Sequence, residues 1–324
     1  MRELIEILPP DIKNNEKGVV CAANESRFIS ANFSELLTAF TVGWKDPENI
    51  EDLLNFIAPV IHVGKRFEFK KADNAQAFLS ENDDVRAIGS AFKTVDFTGT
   101  SVMAKTFNKG LTIRVDHEDV VGDDWRERYV QLLLRRLYRN ELRRAITALN
   151  SSTTPIPKVW GGTDGSNNPD SDIRAELSNA ADITGIRPNR IIFGESVWDL
   201  RSDVYDMQST AAAQRAATLS MGDFARKLFV DEVRVFSARY QNSSSGKAQI
   251  VGNDVYLFHT QNDIIKDEPA NIKRFVTPTD GSNFRVYLEE HSKFTDITVE
   301  HYSNIIVTSE SGIKWLSVSA GSNE

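Results

Sequence analysis

The chain is poor in the residues that usually carry metal or redox chemistry: 324 residues include one Cys and five His. A single thiol, Cys21, excludes a disulfide within the chain and fits a reducing compartment. The five histidines (His62, His117, His259, His291, His301) are scattered, and none stands at ligand spacing from a Cys or a second His. No run of about 18 apolar residues occurs, so no membrane-spanning helix is expected. Residues 1–10 hold Glu3, Glu6 and a Pro pair, and lack the basic start and apolar centre of a secretory signal. The protein is expected to stay in the cytosol or in an assembly made there. Basic charge is also in short supply. The 38 Lys and Arg against 46 Asp and Glu leave a net −8, which argues against a dedicated nucleic-acid binder. At 40% apolar and 26% charged the composition is ordinary for a folded protein, and the length suggests about two domains.

Catalytic motifs are missing as well. Gly194-Glu195-Ser196-Val197 follows an expected strand and opens a helix, but it lacks the glycine frame of a nucleophile elbow, so Ser196 reads as a first-turn helix residue. Gly161-Gly162-Thr163-Asp164-Gly165 lacks the Gly-Lys-Ser/Thr ending of a phosphate loop. His117, within Asp116-His117-Glu118-Asp119, reads as a capped strand-to-helix junction. No nucleophile, base and orienting acid can be assembled, so neither an enzyme nor a cofactor or metal is expected.

What is present is an alternating segment followed by an Arg-rich helix. Over 62–116 apolar residues recur with period two in two separated runs: Val63, Phe67, Phe69, and then Val95, Phe97, followed by Phe107, Leu111, Ile113, Val115. Asn, Asp, Ser and Gly cluster between them, which predicts one large hairpin. Half of it, roughly 20 residues, reaches about 65 Å at about 3.3 Å per residue. A lone ribbon is marginal in water and leaves its edges unpaired. The sequence offers no evident cover within the chain, so another copy is expected to supply it.

Residues 123–150 predict one long helix, with Asp123 or Asp124 as cap. Val130, Leu134, Leu137, Tyr138, Leu142, Ala145 and Leu149 form an apolar arc; Arg128, Arg135, Arg136, Arg139 and Arg143 form an adjoining basic one. That arc faces either solvent and neighbouring subunits or nucleic-acid phosphates, without sequence reading. Ahead of the hairpin, Asn32 and Glu35 resemble a capping box for a helix through Phe40, and Asp46-Pro47 opens a second helix carrying Ile50, Leu53, Leu54 and Ile57. Residues 151–169 read as a linker rich in Ser, Thr, Pro and Gly. Beyond it come helices near 172–181, 198–205 and 224–229, with strands near 190–193, 233–237 and 250–258. The end is β-rich, with strands near 284–288, 297–301 and 305–307 and a further one at Ile313 and Trp315.

In this order the chain resembles the major capsid proteins of tailed bacteriophages. The stretches that carry the likeness run from Phe92 to Thr100 into Lys109 to Asp116, from Gly185 to Trp198, and from Phe284 to Trp315. The resemblance implies an α+β, Hong Kong 97-type fold. Its parts are an N-terminal arm (1–31), a peripheral domain (32–61 and 117–159) with a spine helix (123–150), an extended β-hairpin loop (62–116), an axial α/β domain (160–283) and returning strands (284–324). It further implies a structural protein that assembles with itself into pentamers and hexamers of an icosahedral shell around double-stranded DNA. Phe67, Phe69, Phe92, Val95, Phe97, Phe107, Leu111 and Ile113 would then line the intersubunit loop. The expected partners are a separate scaffolding protein, because little chain precedes the first helix, together with a portal, a decoration protein and packaged DNA held without specificity. The expected location is the virion, assembled in a bacterial cytoplasm. Lys70, Lys71 and Lys105 lie in the loop, where some relatives crosslink, but nothing singles one out. An encapsulin-type compartment shell shares this fold and stands as the alternative; a soluble α/β enzyme is the reading from another class.

Overall fold

The computed structural model describes residues 32–46, 48–72, 85, 88, 90–92, 99–161, 168–208, 210–242, 246–262 and 265–321. The expected N-terminal arm lies outside them, as do Cys21, Val95 and Phe97. The described chain begins with α1 (Glu35–Gly43), α2 (Ile50–Ile57), β1 (Val60–His62), β2 (Arg66–Ala72), β3 (Gly99–Lys105), β4 (Phe107–Asp116) and α3 (Trp125–Ser152). Next come β5 (Pro155–Trp160), α4 (Pro169–Thr184), β6 (Arg190–Gly194), α5 (Glu195–Asp206), α6 (Ala211–Ala217), α7 (Met221–Leu228) and β7 (Glu232–Phe236). The chain ends in β8 (Arg239–Gln241), β9 (Lys247–Gln249), β10 (Asp254–Phe258), β11 (Ile272–Val276), β12 (Phe284–Glu290), β13 (Phe294–Val307) and β14 (Lys314–Ala320).

Local chemistry sets the helix ends. Ser34, not Asn32, caps α1: its hydroxyl accepts the Leu37 amide at 3.3 Å. Asp46 accepts the amides of Glu48 and Ile50, both at 3.1 Å, and so stops the chain before α2. The spine α3 runs 28 residues, about 42 Å at 1.5 Å per residue. All seven residues of its expected apolar arc are buried. Helix α4 starts earlier than expected, at Pro169 behind an Asn168 cap, and stops at Gly185, whose φ of 71° is open to glycine without strain.

Two five-stranded sheets organise these elements. In the first, β4 runs antiparallel along one edge of β13, from Phe294↔Asp116 to Ser303↔Phe107. Strand β12 and then β11 line the other edge, and β1 pairs in parallel with β11. Helix α3 lies on this sheet beside α1 and α2. The second sheet has the order β5-β14-β10-β6-β7, with Ile173, Leu177, Val197 and Phe224 of the surrounding helices in its core. The sheets share apolar contacts: Ile192, Phe236, Tyr256 and Phe258 of the second join the core under the spine. Tyr256 also donates its hydroxyl to Asn150 Oδ1 at 2.5 Å, fastening the end of α3 to the second sheet.

Three expectations change. The 151–169 linker contains β5, a parallel edge strand on β14, despite Pro155 and Pro157. Spaced by two, both prolines leave their missing N–H on the edge away from β14, where no ladder bond is lost. Strand β11 belongs to the first sheet, although the axial unit was expected to run to 283. Finally, the hairpin over 62–116 divides. Among the described residues β2 and β3 form the ribbon, and at Thr106 the chain turns into the first sheet as β4.

Gly194 closes β6 against the bend at 250–252. A Cβ there would collide with the Gly252 carbonyl oxygen and stand 2.7 Å from that of Val251. This close approach, not catalysis, explains the glycine before Glu195-Ser196. Gly194→Ala is expected to lower the unfolding free energy by about 3 kcal/mol, as overpacking against backbone does. Chemical denaturation measures it, and an unchanged midpoint would mean that the 250–252 bend yields freely.

Candidate functional site

The ribbon is the first candidate surface, and its base has a partner the sequence did not reveal. Phe67 and Phe69 stack on Phe275 of β11, with centroids 4.4 and 5.6 Å apart, and Val102 joins them over Ile61 and Ile306. A turn at 265–268 straps β2 from outside. Asp267 Oδ1 accepts the Lys70 amide at 2.8 Å, and Lys266 Nζ reaches the Glu68 carbonyl at 3.0 Å. Beneath the turn, the buried Lys273 ammonium donates to the carbonyls of Lys266 and Glu268, at 2.8 and 2.5 Å. Burial pushes its pKa down to about 8. The chain therefore covers the root of its own ribbon, which corrects the expectation that no cover exists. Between β2 and β3 in sequence, Val85, Ile88 and Phe92 are 85%, 105% and 70% exposed. Val95 and Phe97 lie outside the described residues.

Phe107, Leu111 and Ile113 are not in the projecting ribbon. They sit half-buried on β4, opposite Ser303, Val299 and Ile297 of β13, because the alternation that predicts a hairpin also satisfies a sheet strand. Their cross-strand neighbours come from residues nearly 200 positions away, which local pattern cannot reveal.

The second candidate is the basic face of α3. Arg128 pairs with Asp124 at 2.7 Å, both well exposed, and Arg139 pairs with Glu48 at 2.6 Å. Arg143 lies 3.8 Å over the Tyr240 ring. Arg135 is half-buried, and Arg136 is exposed. Three of the five arginines thus serve contacts within the chain; Arg136 is an exposed one outside those three.

A buried polar cluster under the spine was missed. Glu141, 2% exposed, accepts Lys109 Nζ at 2.8 Å and Arg144 at 2.7 Å on Oε1, and the Ser303 hydroxyl at 2.9 Å on Oε2. His301 Nε2 stands 3.6 Å from Oε1, beyond hydrogen-bond reach. Burial alone would raise the Glu141 pKa; Lys109 foremost, with His301 and Arg144, holds it well below the usual carboxylate range. Burial also pushes the His301 imidazole below its ordinary value, with Lys109 and Arg274 adding to the effect and Glu141 opposing it. One signal was present in the sequence: Glu141 follows Leu134 by seven residues and so falls within the apolar arc.

The remaining candidates have structural partners. His117 meets the Thr295 hydroxyl at 2.9 Å, and Ser196 donates to Gln249 Oε1 at 3.2 Å. Glu289, His291 and Asp296 bring ligand atoms within 4.8 Å of one another, but both Asp296 oxygens accept from Arg114, at 2.8 and 2.9 Å. That guanidinium already supplies the compensating positive charge. Among the described residues no helix is long and apolar enough to cross a membrane.

No family model matches the sequence, and no curated protein matches it significantly. Solved structures do. A phage-related protein from Bordetella bronchiseptica RB50 superposes with a TM-score of 0.65 at 17% identity, over 88% of this chain and 96% of its own. The capsid of cyanophage P-SCSP1u gives 0.50 at 10% identity, over 82% and 87%. The mature capsid of bacteriophage PhiM1 gives 0.50 at 9%, over 82% and 86%. Identities this low speak for architecture alone, and the architecture is the Hong Kong 97-type capsid-protein fold.

Proposed function

We propose that this chain is the major capsid protein of a tailed double-stranded DNA bacteriophage, a structural protein that assembles with itself into the pentamers and hexamers of an icosahedral shell. The carrying observation is the ribbon: its root is clamped on the body, while Val85 and Ile88, between its two strands in sequence, are exposed apolar side chains. Burying one such side chain contributes about 1.5–3 kcal/mol. A neighbouring copy gains that on contact, and a closed shell repeats the gain at every interface. The likeness to phage capsid chains supports the same reading. In such a shell Arg136, with Arg135 beside it, would meet packaged phosphate without reading sequence. Scaffolding, portal and decoration proteins belong to this proposal as partners, and the virion as its location.

The experiment replaces residues 73–98 by a short Gly-Ser link. The change stays outside β2 and β3, because Phe69 and Val102 belong to the core. The variant is expected to keep its denaturation midpoint, within about 0.5 kcal/mol, and to form no closed particles by electron microscopy. Normal particles from it would defeat the proposal.

A further inference from the structure

Between the spine and the β8–β9 hairpin lies an open cleft of about 570 Å³. Leu53, Ala238 and Tyr240 give it apolar walls, and Arg139, Arg239 and Lys247 stand on its rim. Glu48 is the one carboxylate among its described lining residues, which carry three cations against that anion, in a chain of net charge −8. Arg139 is held by Glu48 at 2.6 Å and Arg239 by Glu195 at 2.5 Å, which fixes two rim guanidinium groups in place; Lys247 is exposed. A cleft of this size, apolar within and cationic at its edge, fits an apolar segment flanked by acids.

Such a segment lies in the chain itself, outside the described residues. Residues 1–11 carry Leu4, Ile5, Ile7 and Leu8 within five positions, with Glu3, Glu6 and Asp11 around them. No other undescribed stretch gathers four large aliphatic side chains so closely: 162–167 and 243–245 have none, 73–84 holds the Phe78-Leu79 pair, 93–98 holds Val95 and Phe97, 263–264 holds Ile264, and 12–31 holds Ile12, Val19-Val20 and Phe28-Ile29 spread over 18 positions. Reach is ample. Residues 12–31 span at most about 70 Å extended. Helix α1, nine residues and so about 13 Å long, carries the described chain toward Glu48 at the cleft. Attachment to the same molecule raises the effective concentration of the segment to the millimolar range.

We infer that the cleft between α2, α3 and the β8–β9 hairpin is the docking site for residues 1–11 of the same chain, with Leu4, Ile5, Ile7 and Leu8 inside and Glu6 at Lys247. This docking does not depend on the shell reading, and it is tested on unassembled full-length chain. Because Cys21 is the sole cysteine, a Cys21→Ser background permits disulfide trapping of Ile5→Cys with Gln241→Cys at the cleft. The control pairs Ile5→Cys with Glu310→Cys, an exposed position that does not line the cleft. Crosslinking within one chain at Gln241→Cys is expected to be at least about tenfold faster than at the control, as effective concentration requires. Leu4→Glu with Leu8→Glu should bring it back to the control rate. Lys247→Glu and Glu6→Lys should each slow it, and the two together should restore it. Equal rates at both positions overturn the inference. So do crosslinks that form only between chains, which would assign the cleft to the arm of a neighbouring copy.

Discussion

Asp170→Ala is expected to remove about 3–5 kcal/mol of stability, the cost of leaving a buried charge without its partner. Arg201 is 0% exposed, and Asp170 receives it on both oxygens, at 2.7 and 3.1 Å. Lys227 adds a third contact at 2.7 Å. The guanidinium lies among the rings of Trp198, Tyr205 and Phe224, 4.3 to 5.2 Å from their centroids, and also donates to the Ala216 carbonyl at 3.1 Å. Water has no route to it once the carboxylate is gone. Burial alone would raise the Asp170 pKa; Arg201 and then Lys227 outweigh it and hold the group below its ordinary value. Its stabilising contribution is therefore complete above about pH 4, the unfolded value, and declines as pH falls through the lower folded value. Replacing the pair together, Asp170→Leu with Arg201→Met, should recover most of the loss, since apolar residues of similar volume often match a buried ion pair. Denaturant midpoints of the single and double variants measure both. A single variant as stable as the parent would mean that solvent reaches Arg201.

Glu141→Ala should cost a similar amount under the spine helix, about 3–5 kcal/mol, because Lys109 and Arg144 would lose the buried carboxylate they share. The cluster also predicts acid sensitivity in two steps. His301 is depressed, so the unfolded chain takes up its proton first; stability present above about pH 6.5 declines as pH falls below it. Glu141 is depressed too, so its contribution is complete above about pH 4.3 and is lost as pH falls toward its folded value. Both slopes have the same sign, and acid weakens the contact between α3, β4 and β13. His301→Gln should flatten the upper slope and leave the lower one. Unfolding free energies from pH 8 to 4 test this, and an unchanged upper slope in the variant would locate the titration elsewhere.

Much of the helical framework was legible in the sequence. Spine residues Val130 through Leu149 follow one 3.6-residue stripe, and a stripe that long belongs to a helix whatever it packs on. Ile191 to Phe193 is a short apolar run and Glu232 to Phe236 alternates charged with apolar residues, and both lie in strands. Strand β13 was legible only as two pieces, near Ile297 and near Ile305. Its buried Thr295, Asp296, Glu300, Ser303 and Asn304 interrupt the apolar pattern, and most find partners across the fold: Arg114, Asn108 and Tyr287, Glu141, and the Lys105 carbonyl. A polar residue looks solvent-bound until its distant partner is known.

The candidate site divides along the same line. That a ribbon stands within 62–116 followed from alternation, but that its return strand is 99–105 did not, because the apolar positions expected there, Val95 and Phe97, precede it. Where the ribbon ends did not follow: Phe107, Leu111 and Ile113 alternate equally well, and only the register of β4 on β13 assigns them to the body. Phe275 and the 265–268 strap lie about 200 residues beyond the strands they cover, so their seat under Phe67 and Phe69 is a property of the folded chain. Composition and periodicity settled most of the longer helices and several strands, because those preferences are local; β5 and the unity of β13 escaped them. Tertiary structure alone decided which strands pair, which charges are buried and which apolar residues stay uncovered, because each depends on contacts between residues far apart in the chain.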